Sequence, residues 1–485
     1  MKKQNIVRIS IALMALMLGL ASCKKDFLDV NDNPNSPSTV DVKYVLPSAQ
    51  STLAYTMGNQ LAVYGGFWGQ YWTQGPNANQ YAQLDQYVMT TAENDRPWEG
   101  LYSGTLVNLD LIYQKSKADS TLRNYGAIAR ILEAYTFQVL VDGWGMVPFR
   151  EALKGETNVN PKFDKEELIY DSIAAWAAEG ANMLDDTKKS PVADDLIYGG
   201  DLFLWYKFAN TLQLKIFLRQ SEIRPSVAAA GIAALDPTFL EAGDNAAVKY
   251  TNSKYQQNPL WTNANVGLQT TSNIFGSSSI IDYMTNTGDD RIEDFFESNS
   301  AGNYVGLVQG YGKLLGGNQS DGSFCKPGTQ VLGPTSPVIL MTASESQFLQ
   351  AEAIARGWLS GDDKQSYEDA ITTSWGSWTA AAASTNLSAF LSGDSVNYTN
   401  ATTLNAKLRL ILTQKWVSMA GNQGFEGWTE FRRTGYPDFL KPSVTSVLAP
   451  GVFPGRLVYP SEEVTGNTSF PGVKQVEEKI WWDAN

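Results

Sequence analysis

Histidine is absent from all 485 residues. That excludes Ser-His-Asp and Cys-His nucleophile arrangements, His-ligated zinc and imidazole acid–base chemistry. Cysteine is almost absent, with only Cys23 and Cys325. If Cys23 is consumed as argued below, Cys325 has neither an intramolecular disulfide partner nor an activating histidine. It then reads as a small loop residue, not a nucleophile. Positive charge is also scarce: 37 Lys and Arg stand against 50 Asp and Glu, for a net charge of −13. An acidic surface repels phosphate backbones and anionic membrane faces, so nucleic acid is not an expected partner. Beyond the N-terminal segment, no apolar run approaches the ~20 residues that cross a bilayer as a helix.

What is present begins at the N-terminus. Lys2, Lys3 and Arg8 accompany an apolar run of about 12 residues from Ile9, which closes on Leu20-Ala21-Ser22-Cys23. A basic n-region, an apolar h-region and small residues before a cleavage point are the parts of a secretory signal. A Cys directly after the small pair makes the stretch resemble a bacterial lipobox, cleaved before Cys23 and acylated on it. Each buried methylene adds roughly 0.8 kcal/mol, and more than one chain is needed for durable anchoring. Residues 1–22 are therefore expected to be a lipoprotein signal peptide and 23–45 a lipidated tether with clustered Asn, Asp, Ser and Pro. Losing Lys2, Lys3 and Arg8 leaves 34 basic against 50 acidic groups, or −16. Asp29, Asn31, Asp32 and Asn33 lack the central Gly and distal Glu of a calcium loop. No metal or other cofactor is expected.

Residues 46–485 read as one mainly α domain. Apolar residues at helical spacing mark Leu46 to Trp72, Leu101 to Ile112, Leu122 to Tyr135 and Lys165 to Leu184. Gly75 and Pro76 break the first of these, and Asp201 is a good N-cap for a helix carrying Trp205, Phe208, Leu212 and Ile216. The stretches 46–224 and 338–485 form the helical body, whereas 225–337 is rich in Gly, Ser, Asn, Gln and Thr, with only Ile280 to Glu297 helical in pattern. So long an irregular region is uncommon unless functional or disordered. The aromatics spread through it favour an ordered ligand side. Beyond it, Ser344 with Gln347 fits a capping box and Gly357 a helix stop. A second helix is expected at Lys364 to Ala382, the pair resembling one tetratricopeptide hairpin, and Leu404 to Met419 is the last strong helix.

Several motifs in order resemble the SusD/RagB family of outer-membrane nutrient-binding lipoproteins, in its SusD-like branch. They are Gln70-Tyr-Trp-Thr-Gln74, Asp142-Gly-Trp-Gly-Met-Val-Pro148, Trp205-Tyr-Lys-Phe-Ala-Asn-Thr-Leu212, Phe348-Leu-Gln-Ala-Glu-Ala353, Gln414-Lys-Trp-Val417, Trp428-Thr-Glu-Phe-Arg-Arg-Thr-Gly-Tyr-Pro437 and Arg456-Leu-Val-Tyr-Pro460. The resemblance implies a helical body with tetratricopeptide-like hairpins, a loop-rich ligand side, and a TonB-dependent transporter barrel as partner. It also implies a place at the outer membrane facing the cell exterior, with Lys24, Lys25 and Asp26 resembling an export tag. Most matching residues read as scaffold. Arg432 and Arg433 are expected to pair with Glu430 or Glu426 or to cap carbonyls, and Asp142-Gly-Trp-Gly to form a tight turn after a helix.

A glycan site needs flat aromatic faces against sugar C–H surfaces and planar amides against hydroxyls. The chain holds 14 Trp, 22 Tyr and 20 Phe, an excess over core needs from which such a site can draw. Two loop stretches carry both group types. The first offers Tyr71, Trp72, Asn77, Asn79, Gln80 and Tyr81; the second offers Trp261, Asn263, Asn265, Tyr304 and Tyr311. An oligosaccharide is the expected ligand, with peptide the alternative. A glycosidase would need two carboxyls ~5–9 Å apart about one bond. The candidate pairs Asp194-Asp195, Asp289-Asp290 and Glu462-Glu463 are adjacent in sequence and read as solvated turns or caps. No enzyme is expected.

Overall fold

Helices form where the apolar stripes run, and small residues set how closely they pack. The computed structural model describes residues 40–316 and 320–485, so Cys23 and the tether before residue 40 lie outside the described residues. Helix α1 (Val42–Thr56) passes through one wide π turn, Met57–Leu61, into α2 (Ala62–Trp68). Sequence spacing carries this helix to Trp72, but it ends at Gly69. Gln70, at φ +59°, reverses the chain into strand β1 (Trp72–Gln74). Helices α3 (Val107–Ala118), α4 (Arg123–Trp144), α5 (Glu166–Met183) and α6 (Leu202–Leu218) then pack each on the next. Asp201 caps α6, accepting the Phe203 and Leu204 N–H groups at 3.0 and 3.1 Å.

The region 225–337 holds short elements: α7 (Pro225–Ala233), β2 (Ala246–Val248), α8 (Pro259–Thr262), β3 (Ile274–Gly276) and α9 (Ser278–Thr287). Strand β3 pairs antiparallel with β1, with Thr73 opposite Phe275. Strand β4 (Val338–Met341) pairs antiparallel with β2 and leads into α10 (Ala343–Ala355), α11 (Asp363–Gly376), α12 (Leu404–Ser418) and α13 (Gly424–Thr434). The first two form a helical hairpin, with Gly357 at φ +75° in the connection just after α10. Phe348, Tyr367, Ile371, Trp375, Phe390 and Ile411 are buried around it, and full burial of one such apolar chain contributes roughly 1.5–3 kcal/mol. Thr342, not Ser344, caps α10, its hydroxyl accepting the Glu345 N–H at 3.0 Å. Leu404–Ser418 is also not the last long helix, because the aromatic stretch after it folds as α13.

Helix α13 lies against α2 at glycines: a Cβ on Gly65 would sit 2.1 Å from the Phe425 nitrogen. Its other side enters a buried ionic network. From α6, Lys215 reaches Glu345 (2.9 Å) and Glu426 (3.1 Å), and Arg219 reaches Glu426 (2.6 Å), Glu430 and Asp142 (3.4 Å). Lys415 of α12 meets Glu430 at 3.0 Å, and Arg433 meets both Glu352 and Glu430 at 2.7 Å. Burial alone would raise the Glu430 pKa, but Arg433, Lys415 and Arg219 outweigh it and hold this carboxyl well below its ordinary range. Arg432 lies 3.6 Å over the Trp428 ring and donates to the carbonyls of Gly455 (2.8 Å) and Asp142 (2.7 Å). The fork geometry of the guanidinium, not a ligand contact, explains both arginines.

Two readings of acidic pairs change. Asp195 is buried and accepts from Gln50, Trp205 and two backbone N–H groups, and Asp289 is buried against Arg291 at 2.6 Å. Neither is a solvated turn; both hold the interior together. Asp142 and Trp144 lie inside α4, which ends at Gly145 (φ +78°) rather than in a turn that contains them.

Candidate functional site

The β1–β3 ladder brings two loop-bearing segments side by side. From β1, the Gln74 Oε1 accepts the Tyr81 N–H at 2.7 Å, and its Nε2 donates to Asn273 Oδ1 at 3.4 Å. Asn273 Oδ1 also accepts the Gln80 N–H at 3.2 Å. These bonds fasten the 76–81 loop to the residue before β3. Beneath them Asp85 is buried and accepts from Thr73 Oγ1 (2.8 Å), the Gln74 N–H (2.9 Å) and Gln309 Nε2 (2.6 Å). Burial pushes its pKa up to about 6 despite those donors.

The facing wall starts at Asn258, which caps α8 through the Leu260 and Trp261 N–H groups at 3.0 and 3.1 Å. Its Nδ2 donates to the Ser336 carbonyl at 2.9 Å, fixing the short helix to the body. Trp261 is thereby held half-buried on the edge of a pocket of about 190 Å³, which Tyr81, Asn265, Asn273, Glu297 and Lys326 also line. An adjoining pocket of about 410 Å³ is lined by Gln80, Tyr81, Glu93, Arg96 and Asn263. Tyr81 stands between the two, edge-on to Phe67 at 5.5 Å, with its hydroxyl accepting from Asn263 Nδ2 at 3.5 Å. Burial pushes that hydroxyl up to about 12, so it stays protonated and can donate to a ligand. Lys326 lies 5.1 Å over the Phe275 ring, 3.3 Å from Thr271 Oγ1 and 3.6 Å from Asp321. Aromatic faces beside amide and hydroxyl groups suit a neutral, hydroxylated ligand.

Gln80, Tyr81, Trp261 and Asn263 are thus brought together. Tyr71 and Trp72 are not, which corrects the expectation for them. Tyr71 is wholly buried, stacked on Trp416 at 5.1 Å and donating its hydroxyl to the Trp416 carbonyl at 2.9 Å. Trp72 is 3% exposed and packs onto Gly66, where a Cβ would meet its ring at 2.3 Å. Neither ring has a face for a ligand. Asn77 donates to Asp321 Oδ1 at 2.6 Å, and the Asn79 carbonyl accepts the Ala82 N–H at 3.2 Å. Both are exposed at the loop tip, beside the pockets rather than lining them. Tyr304 and Tyr311 line neither pocket. Sequence reasoning missed Asn273, Glu297 and Lys326. The last two face each other across the Phe296–Glu297 and Lys326–Pro327 ladder, a pairing no local pattern announces. Cys325 is buried with a thiol raised by burial, and accepts the Val305 N–H at 3.1 Å.

Residues 34–460 match the SusD-like family described as starch-binding and associating with the outer membrane. The chain belongs to the SusD-like family. Solved structures agree on the fold of this SusD-like chain. A chitin-binding protein, 24% identical, covers 92% of this chain and 100% of its own with a TM-score of 0.77. A SusD homologue from Bacteroides uniformis, 23% identical, covers 91% and 100% with a TM-score of 0.76. A chitin-binding SusD homologue from Flavobacterium johnsoniae, 22% identical, covers 92% and 97% with a TM-score of 0.75. No curated protein matches the chain significantly. The family is associated with the outer membrane, and among the described residues no helix is long and apolar enough to cross a membrane.

Proposed function

We propose that this protein is a lipid-anchored binding protein that captures an oligosaccharide at the cell surface and passes it to a TonB-dependent outer-membrane transporter. The observation that carries the reading is the pocket in which Trp261 and Tyr81 stand with Asn265, Asn273 and Lys326. The family's starch-binding description and the chitin-binding names of two structural neighbours support a glycan over a peptide. Among the described residues, Glu297 is the only carboxylate that lines this pocket. The family's description as starch-binding supports capture rather than turnover. The lipobox at Cys23 supplies the anchor, and the transporter is the partner that the family resemblance implies.

The test is titration calorimetry of the processed protein with starch-type and chitin-type oligosaccharides, repeated with Trp261→Ala. Removing a stacking ring worth about 0.5–1.5 kcal/mol beyond its buried area is expected to weaken binding at least tenfold with unchanged circular dichroism. Wild-type affinity in the variant would move the site elsewhere, and release of shortened glycan would replace capture with catalysis.

A further inference from the structure

The Tyr81–Trp261 pocket does not stand alone. A third depression of about 210 Å³ opens beside it, lined by Ser298, Ser300, Asp321 and Phe324. Shared walls give the order of the three. Tyr81 and Leu268 line both the 410 and the 190 Å³ pockets, and Glu297 and Lys326 line both the 190 and the 210 Å³ pockets. The outer two share none of the described residues. Each neighbouring pair thus shares side chains in a common wall, and the three form a row with the smallest in the middle.

Their linings differ in a regular way. The middle pocket is the most apolar of the three, with Ala264, Ile274, Pro327 and Leu332 lining it beside Trp261. The ends are more polar, and all three carry charges of both signs: Glu93 with Arg96 at one end, Glu297 with Lys326 in the middle and Asp321 with Lys326 at the other end. An aromatic ring lies at every station, Tyr81 at the first junction, Trp261 in the middle and Phe324 at the far end. A uniformly charged chain would meet a like charge at both ends, which costs binding energy. A single sugar would leave both ends unused. A neutral chain with repeated hydroxyls and repeated flat faces meets a ring and a polar group in each depression.

We propose that the three depressions are consecutive subsites for one linear, neutral oligosaccharide of at least three units. The proposal rests on the carbohydrate reading of the central pocket and goes beyond it in assigning chain form, minimum length, and the roles of Arg96 and Phe324.

The test uses the whole processed protein and two graded series of two to seven units, α-1,4-linked glucose and β-1,4-linked N-acetylglucosamine, titrated calorimetrically. Affinity is expected to rise with length through at least three units in the series that binds. Arg96→Ala and Phe324→Ala are each expected to weaken the hexamer about tenfold, the loss of one charge-assisted hydrogen bond or one stacked ring. Each is expected to leave the dimer within about twofold of wild type, which also reports that the variants are folded. Trp261→Ala weakens dimer and hexamer alike. Equal affinity for dimer and hexamer, abolished by Trp261→Ala, overturns the row of subsites while sparing the central pocket. A hexamer affinity unchanged in either end variant removes that subsite and overturns the proposal. Absence of binding to both series overturns the proposal together with the carbohydrate reading beneath it.

Discussion

Replacing Arg433 with Met removes one cation from the interior and keeps its length and much of its volume. Arg433 is fully buried and forms bidentate contacts to Glu352 at 2.8 and 2.7 Å, two bonds to Glu430 at 3.0 and 2.7 Å, and one to Ser221 Oγ at 2.8 Å. Breaking a buried pair from one side costs about 3–5 kcal/mol, because the other charge stays behind. Here Glu352 keeps Arg356 at 2.9 Å and Glu430 keeps Lys415 at 3.0 Å, so the lower end, about 3 kcal/mol, applies. Unfolding entropy of about 2.1 cal/mol/K per residue over the roughly 440 residues from Lys43 to Asn485 gives about 0.9 kcal/mol/K. The expected fall in Tm is therefore about 3–4 °C at pH 7, read by differential scanning calorimetry. The pH dependence fixes the cause. Glu352 and Glu430 titrate below their unfolded values, burial being outweighed by Arg433 and the other cations. Their contribution is present above the ordinary carboxylate pKa of about 4.3 and is lost as pH falls through the depressed folded values. The gap between wild type and Arg433→Met should narrow as the solution is acidified. An unchanged Tm, or a gap that widens in acid, would refute the reasoning.

Other expectations concern packing, titration and anchoring. Gly65→Ala would drive a Cβ into the backbone at Phe425, which cannot rotate away; a loss of about 3 kcal/mol is expected in chemical denaturation. Asp85 has the opposite sign to Glu430: burial raises it to about 6 from 3.8. Its contribution is most favourable below pH 4 and falls by about 3 kcal/mol as pH rises through 6. Asp85→Asn should flatten the wild-type stability profile across that window in parallel pH-dependent melts. Cys23→Ala should leave the protein folded, with unchanged ligand affinity, while moving it from the membrane pellet to the soluble fraction. A soluble variant that no longer binds its ligand would contradict that separation of anchor from site.

Local signals were legible and distant ones were not. Asp201 as a cap, Gly357 as a stop and Arg433 beside Glu430 all depend on residues within one or two turns, where composition carries geometry. The same local view could not show that Lys215 and Arg219 meet Glu426 and Glu430 some 200 residues later, nor that Asp195 and Asp289 are interior groups. The site divides in the same way. Trp261 and Tyr81 were visible as aromatics in polar loops. Tyr71 and Trp72 carry the same signature, yet the reversal at Gln70 turns them inward against Trp416 and Gly66. An aromatic's identity states how much area it can bury, not which face stays open.

The three-residue pairing of β1 with β3 joins segments about 200 residues apart in the chain. Closing so long a loop carries an entropic cost that a two-stranded ladder cannot meet alone. The helical hairpins rest on near-neighbour contacts and can form early, whereas this ladder depends on packing already in place on both sides. Competence to bind is therefore expected to follow the formation of the helices in folding. In refolding experiments, far-ultraviolet ellipticity should recover before the ligand-induced change in total tryptophan fluorescence does.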